Sequence, residues 1–334
     1  MNALAPPPSS LRPDAPPAAG RWDAVDAARG LAIVAMVVYH AAWDLSFLKL
    51  VAFDAINDPA WKAFARAIAS SFLALVGVSL ALAHARGVRR AAFLRRLAKI
   101  GGAALLVTAA TILAFPDAYI FFGILHAIAV SSVLALPFLR APWPVAALAA
   151  LAVAAAPRFL TSPALDHPAL DWLGLGAADP ITNDYVPVFP WFAAVLLGLL
   201  LGRALLSRGT GPLARWRAAA PPSRALVRAG RWSLPIYLVH QPILLALFYG
   251  VLQITGPNPA AEAQTFIRPC AAGCIGADRD EALCTAICRC TADRLRIEES
   301  LWRAVLGNRV APEDRPRVNG LAQQCYREQR RPGD

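Results

Sequence analysis

Residues 26–45 read DAARGLAIVAMVVYHAAWDL. From Gly30 onward the stretch is apolar enough to sit in lipid. Asp26 and Arg29 stand at its start, and His40 and Asp44 lie inside it. Ionisable groups are expensive in a bilayer, so they face a bundle interior and mark a functional path. At 100° per residue, the eleven positions from Arg29 to His40 bring both side chains to one face, about 16 Å apart along the axis. Asp44 follows His40 by one turn on that face, within reach to orient the imidazole. Asp26 falls near the same stripe and is placed to hold Arg29.

The rest of the chain fits a membrane setting. Of 334 residues, 57% are hydrophobic, too many for an ordinary soluble domain of this size. Seven apolar segments approach the ~20 residues that a bilayer core needs: roughly 30–50, 62–84, 98–115, 118–139, 143–160, 188–206 and 232–254. The expected fold is therefore all-α: a polytopic membrane helix bundle of about seven spans, with a small cysteine-rich helical C-terminal tail. Three regions follow, a Pro-, Ala- and Ser-rich disordered cytoplasmic arm (1–20), a transmembrane domain (21–254) and a tail (255–334). The arm lacks the early positive charge of a signal peptide.

The net charge of +11 is unevenly placed. Residues 85–99 hold six basic groups and no acid, and residues 203–231 hold seven arginines and no acid. Residues 161–187 carry Asp166, Asp171, Asp179 and Asp184 and no lysine or arginine. This pattern reads as topology and excludes a nucleic-acid partner. With both basic loops cytoplasmic, seven spans put the N-terminus inside and the tail outside. Arginine and alanine bias points to a bacterial inner membrane.

All six cysteines lie in the tail, at 270, 274, 284, 288, 290 and 325. Outside the cytoplasm an even set suggests disulfides. The C-x3-C-x9-C-x3-C spacing puts two cysteines one turn apart on each of two short helices. Two bridges stapling a helical hairpin fit, with Cys290 and Cys325 making a third. The spacing leaves connectivity open, and a zinc site is the alternative.

Three histidines fall within spans: His40, His126 and His240. Counting ~1.5 Å per residue from the span ends places them at mid-bilayer, within about 8 Å of one another in depth. Three imidazoles at one depth on different helices favour a polar site over isolated packing residues. A phosphate binder at the inner end of a helix, with a base halfway across, suits a long donor with a charged head, such as a coenzyme A thioester. The rival use of the same histidines is a small-solute or proton transporter. An inverted repeat would favour that use, and none is visible.

Four blocks resemble the bacterial branch of the heparan-alpha-glucosaminide N-acetyltransferase family of transmembrane acyltransferases. They are VDAARGLAIVAMVVYH (25–40), FFGILHAIAVSSVLAL (121–136), DYVPVFPWFAAVLLGLLLGR (184–203) and GRWSLPIYLVHQPILLALF (230–248). The resemblance covers about residues 20–254, and the tail lies outside it. His40, in HAAWD, is similar to the family's histidine in its H-A-x-W pattern, although it stands closer to the Arg-Gly pair than in the lysosomal enzyme.

The resemblance implies transfer of an acetyl or other acyl group from cytoplasmic acyl-CoA to an envelope carbohydrate or lipid acceptor at the outer face. Acyl-CoA is then a co-substrate, the lipid bilayer is the surrounding partner, and no bound metal is expected. The resemblance makes His40 the active histidine, and the residues themselves suggest the remaining roles: Arg29, held by Asp26, and the basic inner loops binding the CoA phosphates; Asp44 orienting His40 as base; and His126 and His240 stabilising the oxyanion or positioning the acceptor. Pro235 and Pro242 are expected to loosen the helix around His240.

Overall fold

The computed structural model describes residues 22–85, 87–207, 211–275 and 280–330. The arm predicted for residues 1–20 lies outside them. Thirteen α-helices occur among the described residues: α1 Asp23–Phe47, α2 Pro59–His84, α3 Arg90–Ala114, α4 Ile124–Leu134, α5 Trp143–Leu160, α6 Val188–Ser207, α7 Gly211–Arg215, α8 Pro221–Arg231, α9 Ser233–Thr255, α10 Pro259–Ile275, α11 Glu281–Leu295, α12 Glu299–Leu306 and α13 Arg315–Gln329. No strand is present among those residues. Six helices are long and apolar enough to cross a membrane: α1, α2, α3, α5, α6 and α9. They match six of the seven expected segments. The helix α9 runs on through Pro242 rather than breaking there.

The expected span 118–139 takes a different form. Its helix α4 has only 11 residues, about 16 Å at 1.5 Å per residue, against a hydrocarbon core of about 30 Å. The preceding loop folds back along α3: the Thr108 hydroxyl donates to the Ile120 carbonyl at 2.6 Å, and the Ile120 amide donates to the Thr111 hydroxyl at 3.0 Å. After α4, Arg203, near the end of α6, donates to the carbonyls of Phe138 (3.2 Å) and Ala141 (2.7 Å). The segment thus passes from beside the last turns of α3 to beside the last turn of α6, as loop, short helix and turn.

Irregular backbone survives in an apolar setting only when its polar groups are satisfied by protein. Here they are. Asn183 N–H donates to the Ala118 carbonyl (3.0 Å) and Val186 N–H to the Phe122 carbonyl (3.1 Å). The Thr182 hydroxyl donates to the Tyr119 carbonyl (2.8 Å). The Ile124 amide, at the start of α4, donates to the Asp184 carboxylate (2.9 Å). The loop 161–187 therefore splices α4 into the bundle.

The described residues gather into two compact units. One holds the residues up to Met36 with Arg66–Leu238, and the other holds Val37–Ala65 with the chain from Val239. The first unit has a core of Leu73, Leu80, Phe122, Phe192, Leu196 and Leu199 and their neighbours. Within it, α2 and α6 meet backbone to backbone. A Cβ at Gly77 would strike the Val195 carbonyl, and one at Gly198 the Ala74 carbonyl, so small residues set this approach.

In the second unit, α10 and α11 form a hairpin stapled by Cys270–Cys288 and Cys274–Cys284, and Cys290–Cys325 ties α13 to α11. This is the arrangement that the spacing suggested. Ile267, Leu295, Leu301 and Trp302 fill its core. The carboxylate of Asp54 pairs with Arg268 on α10.

Candidate functional site

The sequence-predicted residues divide between the units. Arg29, Asp26 and His126 belong to the first; His40, Asp44 and His240 belong to the second.

In the first unit, Asp26 is almost wholly buried (2% exposed). A buried carboxylate needs partners, and it has two guanidinium groups: Arg29 at 2.9 Å and Arg231 at 3.2 Å. Arg231 also pairs with Asp23 at 2.8 Å, and Arg29 donates to the Ser79 hydroxyl on α2 at 2.8 Å. Asp26 holds Arg29, as the stripe suggested. Arg231, at the end of α8, was not foreseen.

The contact that makes the network possible is a glycine pair. A Cβ on Gly30 would fall on the Leu226 carbonyl, and a Cβ on Gly230 would fall on the Asp26 carbonyl. Only with both side chains absent do α1 and α8 approach closely enough for Arg231 to reach two aspartates on α1. Beside the network lies a cavity lined by Asp23, Ala218, Arg224, Val227, Arg228, Arg231 and Trp232. Arg224 and Arg228 are one turn apart, so they share a face.

His126 occupies the first turn of α4. The Gly123 amide lies 3.3 Å from its Nδ1, and the Thr108 hydroxyl 3.3 Å from its Nε2. An amide can only donate, so Nδ1 accepts and the ring proton sits on Nε2. That proton points to Thr108, whose own hydroxyl hydrogen goes to Ile120. Both nitrogens are engaged in holding the loop 119–123. Asp184 completes this junction from 60 residues away. Burial pushes its carboxyl up to about 6, while the hydrogen bond from Ile124 pulls the other way.

In the second unit, the His40 and His240 rings meet edge to face with centroids 4.9 Å apart. Tyr39 packs on the His40 ring at 5.4 Å, and against Trp61 and Phe64 on α2. Asp44 is fully buried, but its hydrogen-bond donor is the Gln241 amide, at 2.6 Å, rather than the expected His40 ring. The geometry is simple. His40 and Asp44 stand one turn apart on α1, and the consecutive residues His240 and Gln241 on α9 meet one each. The sequence reading missed Gln241. Its one signal was adjacency to His240 in VHQP.

A comparison with protein families decides what this constellation belongs to. The family described as heparan-alpha-glucosaminide N-acetyltransferase, catalytic, matches residues 21–242. The chain belongs to that family. The family is one of membrane acetyltransferases, and it implies an acetyl-CoA type of co-substrate. The match begins just before the Asp23–Asp26–Arg29 network and ends just after the His240–Gln241 pair, so every residue of both clusters lies within the family segment. The disulfide-bridged helices of the tail lie beyond it. No curated protein and no solved structure matches the chain.

Proposed function

We propose that this protein transfers an acetyl group from cytoplasmic acetyl-CoA, or another acyl group from its CoA thioester, to an envelope sugar or glycan at the outer face of a bacterial inner membrane. The observation that carries the reading is the His40–His240 pair. Two imidazoles contributed by helices 200 residues apart in sequence stand inside apolar spans, within the segment that the family shares.

In this reading neutral His40 is the general base, the species that a low-dielectric interior favours. It takes the proton from the acceptor's hydroxyl or amine. That oxygen or nitrogen attacks the thioester carbonyl, the C–S bond breaks, and CoA leaves as the thiolate and is reprotonated from the imidazolium. His240 lies against the base and stabilises the carbonyl oxygen as charge develops there. Asp44, held by Gln241, positions the acceptor. His126 acts at one remove, by fixing the α3–α4 loop.

The donor's phosphates are assigned to the arginine-lined cavity. Arg224 and Arg228 supply charge, Trp232 a face for the adenine, and Arg29, fixed by Asp26, the inner anchor. The basic segments 85–99 and 203–231 support a cytoplasmic position for this end. The three bridges support an oxidising compartment for the tail. The N-terminus is then cytoplasmic and the tail periplasmic.

The test uses membranes from cells with and without the protein, given radiolabelled acetyl-CoA. Label is expected in an envelope component only when the protein is present, and is expected to vanish with His40→Ala. Wild-type labelling by His40→Ala would remove His40 from the mechanism. Alkaline phosphatase fused after residue 330 is expected to be active. An inactive fusion of intact protein would reverse the orientation.

A further inference from the structure

The tail reaches back to the helix that carries His40. At the end of α1 the Leu50 amide donates to the Leu45 carbonyl (2.9 Å), and the Leu48 amide donates to the Asp44 carbonyl (2.8 Å). Lys49 closes this cap with a left-handed backbone (φ 58°), a conformation that glycine adopts more readily. Its carbonyl accepts the amide of Asn258 (2.8 Å), the residue just before α10. Farther along the same loop, the Asp54 carboxylate is fully engaged. The Ile56 and Asn57 amides donate to its Oδ1 (2.9 and 3.0 Å), and the Asn57 side chain donates to its Oδ2 (3.0 Å). Arg268 pairs with that second oxygen. Arg268 closely precedes Cys270, whose bridge to Cys288 fixes α10 on α11. Both tethers, Asn258 and Arg268, come from beyond residue 242, where the family segment ends.

Asp54 is flanked by Ala55, which is fully buried, and by Phe53, whose ring stacks on Trp61 with centroids 5.9 Å apart. Trp61 meets Tyr39 at 6.3 Å, and Tyr39 meets the His40 ring at 5.4 Å. A continuous series of ring contacts therefore runs from the residue beside the ion pair to the imidazole. Close-packed side chains are hardly compressible, so they pass a displacement on.

We infer that the bridged tail braces the reacting centre: Arg268 and Asn258 are positioning residues that hold the C-terminal end of α1 and the loop after it, and through Phe53, Trp61 and Tyr39 they set where the His40 ring stands. This rests on the acetyltransferase reading, in which His40 is the base, and goes beyond it by giving the tail a part in the reaction. Arg268 is half-exposed, so its ion pair contributes little to overall stability. A displacement of about 1 Å in a reacting group, by contrast, can cost about 100-fold in rate. The brace is therefore read in turnover rather than in folding.

The experiment compares full-length wild type, Arg268→Gln and Arg268→Lys in detergent. One readout is CoA release from acetyl-CoA with glucosamine as acceptor. The other is carbethoxylation of histidines by diethyl pyrocarbonate, mapped by mass spectrometry. His40 is half-buried, and the exposed His167 serves as internal standard. In Arg268→Gln, kcat is expected to fall about tenfold with the acetyl-CoA KM unchanged. His40 is expected to be modified about threefold faster, as the loosened end of α1 opens more often, and His167 at the wild-type rate. Arg268→Lys is expected to restore both.

Equal His40 modification in wild type and Arg268→Gln overturns the inference. So does an unchanged kcat, or a loss that Arg268→Lys does not restore. A wild type that releases no CoA strikes the acetyltransferase reading instead, and His40 modification then decides the inference by itself. Should Arg268→Gln not fold, Asp54→Asn, which keeps an acceptor for the two loop amides, is put through the same comparison.

Discussion

Gly230→Ala tests whether the α1–α8 contact governs the cationic end of the protein. The new methyl group would land on the Asp26 carbonyl, and backbone on both sides leaves no side chain to swing away. The helices must part by about 1 Å or more to restore van der Waals contact. Overpacking of this kind costs about 1–3 kcal/mol. Parting also stretches Arg231–Asp26, already 3.2 Å, and Arg231–Asp23 at 2.8 Å. Arg231 is half-exposed, so losing its pairs adds about 0.2–1 kcal/mol each. Against this, replacing a helical glycine by alanine gains about 0.5–1 kcal/mol. The net loss is about 0.5–4.5 kcal/mol, centred near 2.5, which at the centre is a fall in melting temperature of about 5–10 °C for a domain of this size.

Thermal unfolding in detergent measures the loss, and the acetyl-CoA KM is expected to rise in parallel. Gly30→Ala is expected to behave alike. Because one displacement relieves both clashes, Gly30→Ala/Gly230→Ala is expected to cost less than the sum of the single substitutions. A Gly230→Ala protein as stable as wild type, or strict additivity in the double variant, would refute the reasoning.

His40→Ala is expected to lower the transfer rate by about 10²–10⁴-fold, the usual share of a general base, with the melting temperature little changed. A comparable loss of stability would instead mark a packing residue. Asp184 gives a pH dependence. Its carboxyl is raised from 3.8 to about 6, so its contribution to stability is full below pH 3.8 and is lost as pH rises through 6, by at most about 3 kcal/mol. Asp184→Asn keeps an acceptor for the Ile124 amide, and is expected to raise the melting temperature at pH 8 and leave it unchanged at pH 4; equal effects at both pH values would exclude ionisation as the cause. Replacing Cys290 and Cys325 by serine opens a link spanning 35 residues. It is expected to destabilise the tail by about 2–4 kcal/mol, read as faster proteolysis of residues 280–330 in intact protein; unchanged proteolysis would count against a structural role.

Much of the fold is legible in the sequence because lipid imposes a simple rule: about twenty apolar residues make a span. Residues 143–160 follow that rule, and α5 covers the same range. Residues 118–139 obey it in composition but not in form, because Thr108, Thr111 and Asp184 satisfy a loop that hydropathy cannot distinguish from helix. The cysteine hairpin was legible because a C-x3-C repeat fixes one face of a helix. The matching depth of His40 and His240 is legible from their distance to the span ends, but their ring contact is not. Nor are the contacts of Gln241 and Arg231, since no local pattern says which residue of a distant helix will meet Asp44 or Asp26. Asp184 reads in the sequence as one charge of an acidic loop, and its partner lies 60 residues away.

The interlock of Gly30 with α8 and of Gly230 with α1 has a practical corollary for engineering. The opening and closing blocks of the family segment are cast as a single mould, each shaped on the other's main chain. A chimera that borrows the first helix from a relative must borrow the α8–α9 junction with it, and a graft of either piece alone is expected to yield protein that inserts but does not close its cationic end.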